Sequence, residues 1–243
     1  MVQIQNLALA LAAGTAVSGA AIERQSACSS YTIIDTRGTG ELQGPSAGFR
    51  TMNSQIQQQM SGGKVYNTMY PADFSQISTE GTNDIVDHVQ STLQSNPDEC
   101  FILEGYSQGA AATTNALPKL TGASFDAVKG VFLIGNPEHR SGKACNVDTN
   151  GGDTTKNVNG LSATLGGIPD NWVSKTLDVC NYVRRLRRTI AAENITNTTF
   201  QGDGVCDTTH GFGINAQHLA YPTNSNVQQM GAKFALKQLQ GGN

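Results

Sequence analysis

The chain has 243 residues, of which 38% are hydrophobic and 14% charged, with five cysteines and a formal net charge of −3. This length suffices for one sizeable domain, and the charged fraction is too low for a coiled coil or a charge-rich disordered chain, since soluble domains average about 25%. The net negative charge gives no whole-protein attraction to nucleic acid or anionic lipid, so neither is expected as a partner.

The first 21 residues carry no charged side chain, and an apolar run from Leu7 to Val17 leads into small residues at 18–21. This pattern predicts a secretory signal peptide over residues 1–21, although its n-region lacks Lys and Arg. The apolar run is too short to span a bilayer, so no stable membrane insertion is expected. A buried N-terminal helix is the alternative. With a signal peptide, the protein is extracellular.

Short apolar runs alternate with amphipathic segments along the rest of the chain. The pattern predicts strands at Tyr31–Asp35, Val65–Tyr70, Cys100–Glu104, Val128–Gly135 and Lys175–Val179. It predicts helices at Pro45–Met60, at Thr82–Leu93, in the Ala-rich segment after residue 109, and at Asn226–Leu239. The alternation predicts a doubly wound parallel sheet of about five strands with helices on both faces. Residues 22–243 therefore form a single α/β domain.

The motif Gly105-Tyr106-Ser107-Gln108-Gly109 lies between a predicted strand and a small-residue helix. In that context, Gly-x-Ser-x-Gly is typical of a nucleophile elbow, a tight turn that presents a reactive serine at the N-terminus of a helix. The alternative is that Ser107 is an ordinary helix N-cap. The motif predicts Ser107 as a catalytic nucleophile.

A serine hydroxyl needs an adjacent base, and in this fold class the base is a histidine that follows the serine and the acid along the chain. Three histidines follow Ser107, namely His139, His210 and His218. His139 precedes most of the possible acids. His218 is favoured over His210 because the apolar side chains of the following segment, Leu219–Tyr221, could anchor it.

Two aspartates are candidates for the acid that orients the histidine. Asp203 and Asp207 flank Cys206, and their spacing does not separate them, whereas Asp178 lies inside a predicted strand and is expected to be structural. The cysteines allow at most two bridges in 15 possible pairings, and arithmetic does not choose among them. They are Cys28, Cys100, Cys145, Cys180 and Cys206.

Four motifs in chain order resemble the fungal cutinase family, and the likeness runs from about Cys28 to Leu239. The motifs are Arg37-Gly-Thr-Gly-Glu41, Gly105-Tyr-Ser-Gln-Gly-Ala110, Asp203-Gly-Val-Cys206 and Gln217-His-Leu-Ala-Tyr221. The segments Gly38–Arg50 and Val131–His139 are most similar to a cutinase-like subgroup that also attacks synthetic polyesters. The resemblance implies an α/β-hydrolase fold without a lid and with a solvent-exposed serine.

The resemblance also implies the roles of individual residues. Ser107 would be the nucleophile, His218 the base and Asp203 the orienting acid. The backbone N–H of Gln108 and the N–H and hydroxyl of Thr39 would form the oxyanion hole. Disulfides would join Cys28 to Cys100 and Cys180 to Cys206, and Cys145 would stay unpaired. The resemblance implies a monomer that acts without a cofactor on insoluble polyesters or small esters.

One stretch, Val183–Gln201, departs from the family pattern. Removing its 19 residues would leave a tight Cys-Asn-Tyr-Gly-Asp-Gly-Val-Cys loop like that of the relatives. The stretch begins with Val-Arg, contains Thr196-Asn197 and ends with Gln201, which are compatible with the codons of a fungal 5′ splice site, branch point and 3′ splice site. We therefore interpret it as a retained intron of 57 nucleotides, or 19 codons. A genuine surface insertion is the alternative.

Other function classes fit the sequence less well. A dinucleotide-binding fingerprint beginning at Gly38 would need glycine where Gln43 stands, and no His, Cys or Glu spacing predicts a metal site. Acetylxylan esterase on the same scaffold is the main alternative function. A non-catalytic secreted surface-binding protein is a remote alternative. Such a protein is expected to have lost the serine, the histidine or the acid, and this sequence has all three.

Overall fold

The computed structural model describes residues 27–184 and 200–242, so the predicted signal peptide and most of the predicted insert lie outside the described residues. Six strands form one sheet in the order β2-β1-β3-β4-β6-β5, and all neighbouring strands are parallel. The strands are β1 (Tyr31–Thr36), β2 (Gly63–Asn67), β3 (Cys100–Tyr106), β4 (Val128–Ile134), β5 (Asn146–Val147) and β6 (Thr176–Val179).

Helices cover both faces of this sheet, which confirms the predicted α/β-hydrolase-type fold. Those on one face are α1 (Arg50–Gln59) and α5 (Ser225–Leu239), and those on the other are α2 (Thr79–Ser95), α3 (Gln108–Ala116) and α4 (Ala123–Ala127). Short 3₁₀ helices lie at Leu117–Lys119, Asp170–Lys175 and His218–Thr223. Within the described ranges, no helix is long and apolar enough to cross a membrane.

The strands form because their side chains are apolar on both faces of the sheet and are buried on both. In β1, Tyr31 and Ile33 point to one face of the sheet and pack in a core with Met52 of α1. Ile34 points to the other face and packs in a second core with Ile85 of α2. A strand that is buried on both faces has a continuous apolar run in its sequence. For this reason the sequence predicts β1, β3 and β4 correctly.

Helix α1 begins at Arg50, five residues later than the sequence predicted. The preceding segment is held as a loop because its backbone N–H groups are used elsewhere. Ser46 N–H donates to Asp35 Oδ2 at 3.1 Å, and Ala47 N–H donates to Glu41 Oε1 at 2.7 Å. These two carboxylates replace the helical hydrogen bonds that the apolar spacing had suggested.

The prediction for β2 was also shifted, since the strand ends at Asn67 and not at Tyr70. The carbonyl oxygens of Thr68 and Tyr70 accept hydrogen bonds from the guanidinium of Arg37 and are therefore not available to a strand. The sixth strand, β5, was not predicted because it has only two residues.

A separate antiparallel hairpin, β7 (Tyr182–Arg184) and β8 (Phe200–Gly202), frames the part of the insert that lies outside the described residues. Tyr182 faces Gly202 across this hairpin, and Val183 faces Gln201. The two ends of the predicted insert therefore lie side by side.

Two disulfides join the pairs that the family resemblance implied. Cys28–Cys100 ties the start of the described chain to β3, and Cys180–Cys206 ties the end of β6 to the loop that carries Asp203. Cys145 is free and buried, and burial raises the pKa of its thiol to about 12.

Candidate active site

Ser107 lies in a tight turn between β3 and α3 with φ 57° and ψ −120°, a backbone conformation that residues other than glycine rarely adopt. The flanking glycines allow this turn. A Cβ on Gly105 would lie 2.6 Å from Cα of Ala110, and a Cβ on Gly109 would lie 2.1 Å from the carbonyl oxygen of Thr36. Both glycines are therefore required by close backbone approach, as a nucleophile elbow demands.

The structure brings Ser107, His218 and Asp203 together in one hydrogen-bonded chain. His218 Nε2 lies 2.9 Å from Ser107 Oγ, and His218 Nδ1 lies 2.9 Å from both carboxylate oxygens of Asp203. His218 and Asp203 are buried. The hydroxyl of Tyr221 donates to Asp203 Oδ2 at 2.6 Å, and Val205 N–H donates to Asp203 Oδ1 at 2.9 Å. The carboxylate is thus fixed from two sides.

The other two histidines that follow Ser107 in the chain, His139 and His210, pair with different aspartates. His139 Nδ1 lies 2.8 Å from Asp178 Oδ2, and His139 Nε2 lies 3.0 Å from the carbonyl oxygen of Thr155. Burial alone would lower the pKa of His139, but the carboxylate of Asp178 outweighs burial and raises it. His210 Nδ1 lies 2.8 Å from Asp207 Oδ2. Asp207 and Asp203 therefore serve different histidines, which the sequence alone did not resolve.

Thr39 and Gln108 contact each other beside Ser107. The Thr39 hydroxyl lies 3.2 Å from each of two acceptors, Gln108 Oε1 and Gln76 Oε1, and 3.1 Å from the donor Gln76 Nε2. The backbone N–H of Gln108 is the first of α3, where helical N–H groups have no intrahelical partner. Gln76 has a positive φ of 63°. The sequence carries no signal for Gln76, because only the folded loop brings it to Thr39.

The loop that carries Thr39 is held by one carboxylate. Glu41 Oε2 accepts from Gly38 N–H at 2.6 Å and from the Ser46 hydroxyl at 2.9 Å, while Glu41 Oε1 accepts from Ala47 N–H at 2.7 Å. The guanidinium of Arg37 anchors the start of the same loop through the carbonyl oxygen of Glu41. Two charged residues of the Arg-Gly-Thr-Gly-Glu motif thus position the threonine between them.

Tyr106 and Tyr221 hold the 3₁₀ helix that carries His218. The Tyr106 hydroxyl donates to the carbonyl oxygen of His218 at 2.9 Å, and Asn181 N–H donates to the Tyr221 hydroxyl at 2.8 Å. Burial, followed by the charge of Asp203, raises the pKa of Tyr221 well above its ordinary value. The sequence predicts Tyr221 only as an apolar anchor, because nothing local signals that its hydroxyl reaches Asp203.

Two clefts meet at Ser107. The smaller, which we call the His218 cleft, has a volume of about 320 Å³ and is lined by Thr39, Phe74, Tyr106, His218, Leu219 and Pro222 among others. The larger, which we call the Glu138 cleft, has a volume of about 500 Å³ and is lined by Gln108, Asn115, Glu138, Leu161, Ser162 and Leu165 among others. Substrate can therefore extend in two directions from the serine.

The serine is less exposed than the resemblance implied. Ser107 as a whole residue is only 6% exposed, although it lines both clefts. Six large apolar side chains are exposed and line the clefts, and we call them the apolar rim: Phe74, Ile77, Leu161, Leu165, Ile214 and Leu219. Within residues 27–184 and 200–242, no group of three or more His, Cys, Asp and Glu residues could hold a metal ion.

Comparison with known proteins identifies the relatives of this chain. The family model described as Cutinase matches residues 27–239. A solved structure of a cutinase-like protein from Cryptococcus sp. is 58% identical, with a TM-score of 0.80, over 90% of this chain and 99% of that one. The catalytic core domain of an acetyl xylan esterase from Trichoderma reesei has a TM-score of 0.64 at 22% identity, over 87% of this chain and 99% of that one. At this identity, the similarity to the acetyl xylan esterase shows only that the two proteins share a fold.

A curated relative gives a more distant match. Carboxylesterase Culp1 of Mycobacterium tuberculosis is 32% identical over 140 residues. The alignment covers 54% of this chain and 62% of the relative, which is less than two thirds of that protein.

Proposed function

Because the chain belongs to the cutinase family and is a carboxylic ester hydrolase, we propose that it is a secreted serine esterase that cleaves aliphatic polyesters and short-to-medium acyl esters. The observation that carries this proposal is the hydrogen-bonded chain from Ser107 through His218 to Asp203. Such a chain activates a serine hydroxyl, which is otherwise a weak nucleophile near neutral pH.

In the proposed reaction, Ser107 Oγ attacks the ester carbonyl while His218 Nε2 takes its proton. Asp203 holds the imidazole in the required orientation and stabilises the positive charge that forms. The tetrahedral intermediate collapses when His218 gives the proton to the leaving alcohol. Water, activated by the same histidine, then cleaves the acyl-enzyme and releases the acid.

The developing oxyanion needs hydrogen-bond donors aimed at its position. We propose that the N–H of Gln108 and the N–H and hydroxyl of Thr39 supply them. The first N–H of α3 is supported in this role by the helix dipole, which favours negative charge at the N-terminus of a helix. Gln76 is a positioning residue, because both atoms of its amide lie within hydrogen-bond distance of the Thr39 hydroxyl and hold it in place.

The apolar rim supports a polyester as substrate. Phe74 and Leu165 are 80% and 82% exposed, respectively, although large apolar side chains usually avoid water. A rim of this kind can rest on an insoluble aliphatic chain while the serine reaches an ester bond. An acetylated sugar would leave most of this apolar surface in water.

Replacement of Ser107 by Ala tests the nucleophile. We expect kcat for p-nitrophenyl butyrate to fall at least about 10³-fold, since activity without a triad member is limited to the remaining electrostatic stabilisation. A fluorophosphonate probe should label the unaltered protein and not the variant. A much smaller loss of rate would show that another residue is the nucleophile, and an unlabelled native protein would favour a non-catalytic binding role.

Rates on different substrates test the choice between two esterase classes. The proposal predicts activity on p-nitrophenyl esters from acetate to medium chain lengths and release of acid from an aliphatic polyester film. An acetylxylan esterase would instead act best on acetylated xylan and lose activity sharply beyond the acetyl group.

Secretion is supported by the two disulfides, which persist in oxidising compartments. We propose that residues 1–21 are the signal peptide. N-terminal sequencing of protein secreted by a fungal host should begin near residue 22, and retention of those residues in the secreted product would contradict the proposal.

A further inference from the structure

His218 and Tyr221 are carried by the same short helix. Both lie in the 3₁₀ helix His218–Thr223 and are three residues apart. A 3₁₀ helix has three residues per turn, so the side chains at positions i and i+3 lie one above the other. The helix therefore presents an imidazole and a phenol hydroxyl to the same neighbour, which is the carboxylate of Asp203.

The two oxygens of this carboxylate have different donors. His218 Nδ1 lies 2.9 Å from both oxygens of Asp203, whereas the Tyr221 hydroxyl lies 2.6 Å from Oδ2 and Val205 N–H lies 2.9 Å from Oδ1. Asp203 is fully buried, so bulk water does not replace a donor that is lost. Among the hydrogen bonds of the described residues, Oδ2 would keep only His218 if the hydroxyl were removed.

The surroundings of the Tyr221 hydroxyl direct its hydrogen to Asp203. Asn181 N–H donates to the hydroxyl oxygen at 2.8 Å. Two other acceptors are near, namely the carbonyl oxygen of Val179 at 3.4 Å and Cys206 Sγ at 3.6 Å. Hydrogen bonds from a hydroxyl to an oxygen are normally about 2.5–3.0 Å long, and a charged acceptor makes them stronger. The hydrogen bond to the carboxylate therefore prevails.

We propose that Tyr221 is a positioning residue of the reaction: its hydroxyl holds the Asp203 carboxylate in the orientation that His218 needs and takes up part of its negative charge. This inference rests on the proposed esterase function and adds a fourth side chain to the triad. The acid of such a triad keeps the imidazole in the correct orientation and stabilises the imidazolium that forms. Tyr221 thus acts on the imidazole through Asp203.

The charge of the carboxylate gives the proposal a readout in pH. Without the hydroxyl, the full charge of Asp203 acts on the imidazolium, which favours the protonated base. The other titratable groups near His218 do not add to this difference. Burial, followed by the charges of Glu41 and Asp203, raises the pKa of Tyr106, which therefore stays neutral. Glu41, which lines the same cleft as His218, is unchanged in every variant.

Tyr221→Phe tests the proposal, because it removes the hydroxyl and keeps the ring. On p-nitrophenyl butyrate, the maximal kcat should fall about tenfold with little change in KM, since a loosened carboxylate orients the imidazole less well. The pH of half-maximal kcat/KM on the acid side, which reports the base of the free enzyme, should rise by about 0.5–1 pH unit. This pH does not depend on the amount of folded protein, so a loss of stability in the variant does not obscure it.

Tyr31→Phe is the matched control. Tyr31 is also fully buried, and its hydroxyl donates to the carbonyl oxygen of Met60 at 2.7 Å, at the start of β1 and outside the site. This variant should lose stability but keep the native kcat and pH profile. An acid side that stays in place in Tyr221→Phe, or moves to lower pH, would show that the hydroxyl is structural and overturn the inference. Failure of the native protein to hydrolyse the ester would instead contradict the proposed esterase function.

Discussion

At the scale of single residues, the Thr39 hydroxyl has one hydrogen atom and two neighbours that compete for its orientation. The hydroxyl can donate to Gln108 Oε1 or to Gln76 Oε1, each at 3.2 Å, and Gln76 Nε2 can donate to the hydroxyl oxygen at 3.1 Å. In the proposed reaction, a substrate oxyanion would replace these amide oxygens as the acceptor. Under the proposed mechanism, Gln76 and Gln108 hold the hydroxyl beside Ser107 before the reaction begins, and such preorganisation is the condition for strong electrostatic stabilisation.

Replacement of Thr39 by Val tests this arrangement. The variant keeps the shape and the backbone N–H but loses the hydroxyl, so kcat on p-nitrophenyl butyrate should fall about 10²- to 10³-fold with little change in KM. Thr39→Ser is the control, because it retains a hydroxyl donor and should keep most of the activity. A loss of less than about threefold in Thr39→Val would mean that the hydroxyl is not an oxyanion donor.

The residues of this site differ in how well the sequence predicts them. Ser107 and His218 follow from a local motif and from chain order. Asp203 and Asp207 could not be separated from spacing, because each lies beside Cys206 and each pairs with a histidine of its own. Gln76 carries no local signal, since its contact with a residue 37 positions away exists only in the folded chain.

At the scale of elements, the sequence predicts best the strands that are buried on both faces. Strands β3 and β4 begin where their apolar runs begin. The predicted boundaries are wrong where side chains from other elements form hydrogen bonds with the backbone. Arg37 does so after β2, and Asp35 does so before α1. Such contacts join distant parts of the chain, so a local pattern does not contain them.

Neighbouring strands also place two carboxyl groups side by side. Asp35 of β1 and Glu104 of β3 are register partners, and both are buried. Burial, together with the neighbouring carboxylate, raises the pKa of Glu104 well above its ordinary value, and burial raises that of Asp35 to about 7. Both groups bind protons more tightly in the folded protein than in the unfolded chain. Their contribution to stability is therefore complete below about pH 4, and that of Asp35 is lost as pH rises through about 7.

The melting temperature of the native protein should therefore decrease as the pH is raised from 5 to 9. In Glu104→Gln, one of the two carboxyl groups is gone, so the slope of this fall should be shallower and the variant should gain stability at pH 9 relative to the native protein. Asp98→Asn, an exposed change, serves as the control. Parallel melting curves for native protein and Glu104→Gln across this pH range would contradict the assignment to the pair.

The hairpin β7–β8 bears on the predicted insert. Tyr182 and Gly202 face each other, and facing residues of an antiparallel pair have Cα atoms about 4.5–5.5 Å apart. Consecutive residues have Cα atoms about 3.8 Å apart, so a direct bond between these two needs a shift of only about 1–2 Å. Removal of residues 183–201 would also shorten the loop closed by Cys180–Cys206 from 26 residues to 7, which lowers the entropy cost of closure by about 1 kcal/mol.

A variant without Val183–Gln201 should therefore fold with both disulfides and a melting temperature no lower than that of the full chain. Asp203, the second residue after the junction, would be held more firmly, and kcat should rise about two- to tenfold, since small misplacements of catalytic groups are costly. Sequencing of the mature transcript gives an independent check. An insoluble or disulfide-free deletion variant, or mature message that keeps the 57 nucleotides, would contradict the retained-intron hypothesis.

At the scale of the whole molecule, the two disulfides stabilise different parts of the fold. Cys28–Cys100 closes 72 residues and lies at the end of the sheet where β1 and β3 begin, whereas Cys180–Cys206 closes 26 residues next to Asp203. By loop entropy, they stabilise the fold by about 4 and about 3.5 kcal/mol, respectively. Their contributions to stability are therefore similar, but only Cys180–Cys206 lies next to the proposed catalytic acid.

Replacement of both cysteines of each pair by serine separates their effects. Either double variant should melt about 10 °C lower, from the loss of about 4 kcal/mol in a domain of this size. Only the Cys180/Cys206 variant should also lose kcat, by about tenfold or more, because Asn181, whose carbonyl oxygen accepts from Asp203 N–H at 2.8 Å, is freed together with the loop that carries the acid. Rates are to be measured at least 15 °C below each melting temperature, so that unfolding does not contribute. Equal kcat in the two variants would mean that Tyr221 and the packing around it orient Asp203 without the disulfide, because Tyr221 donates to the same carboxylate independently of either cysteine.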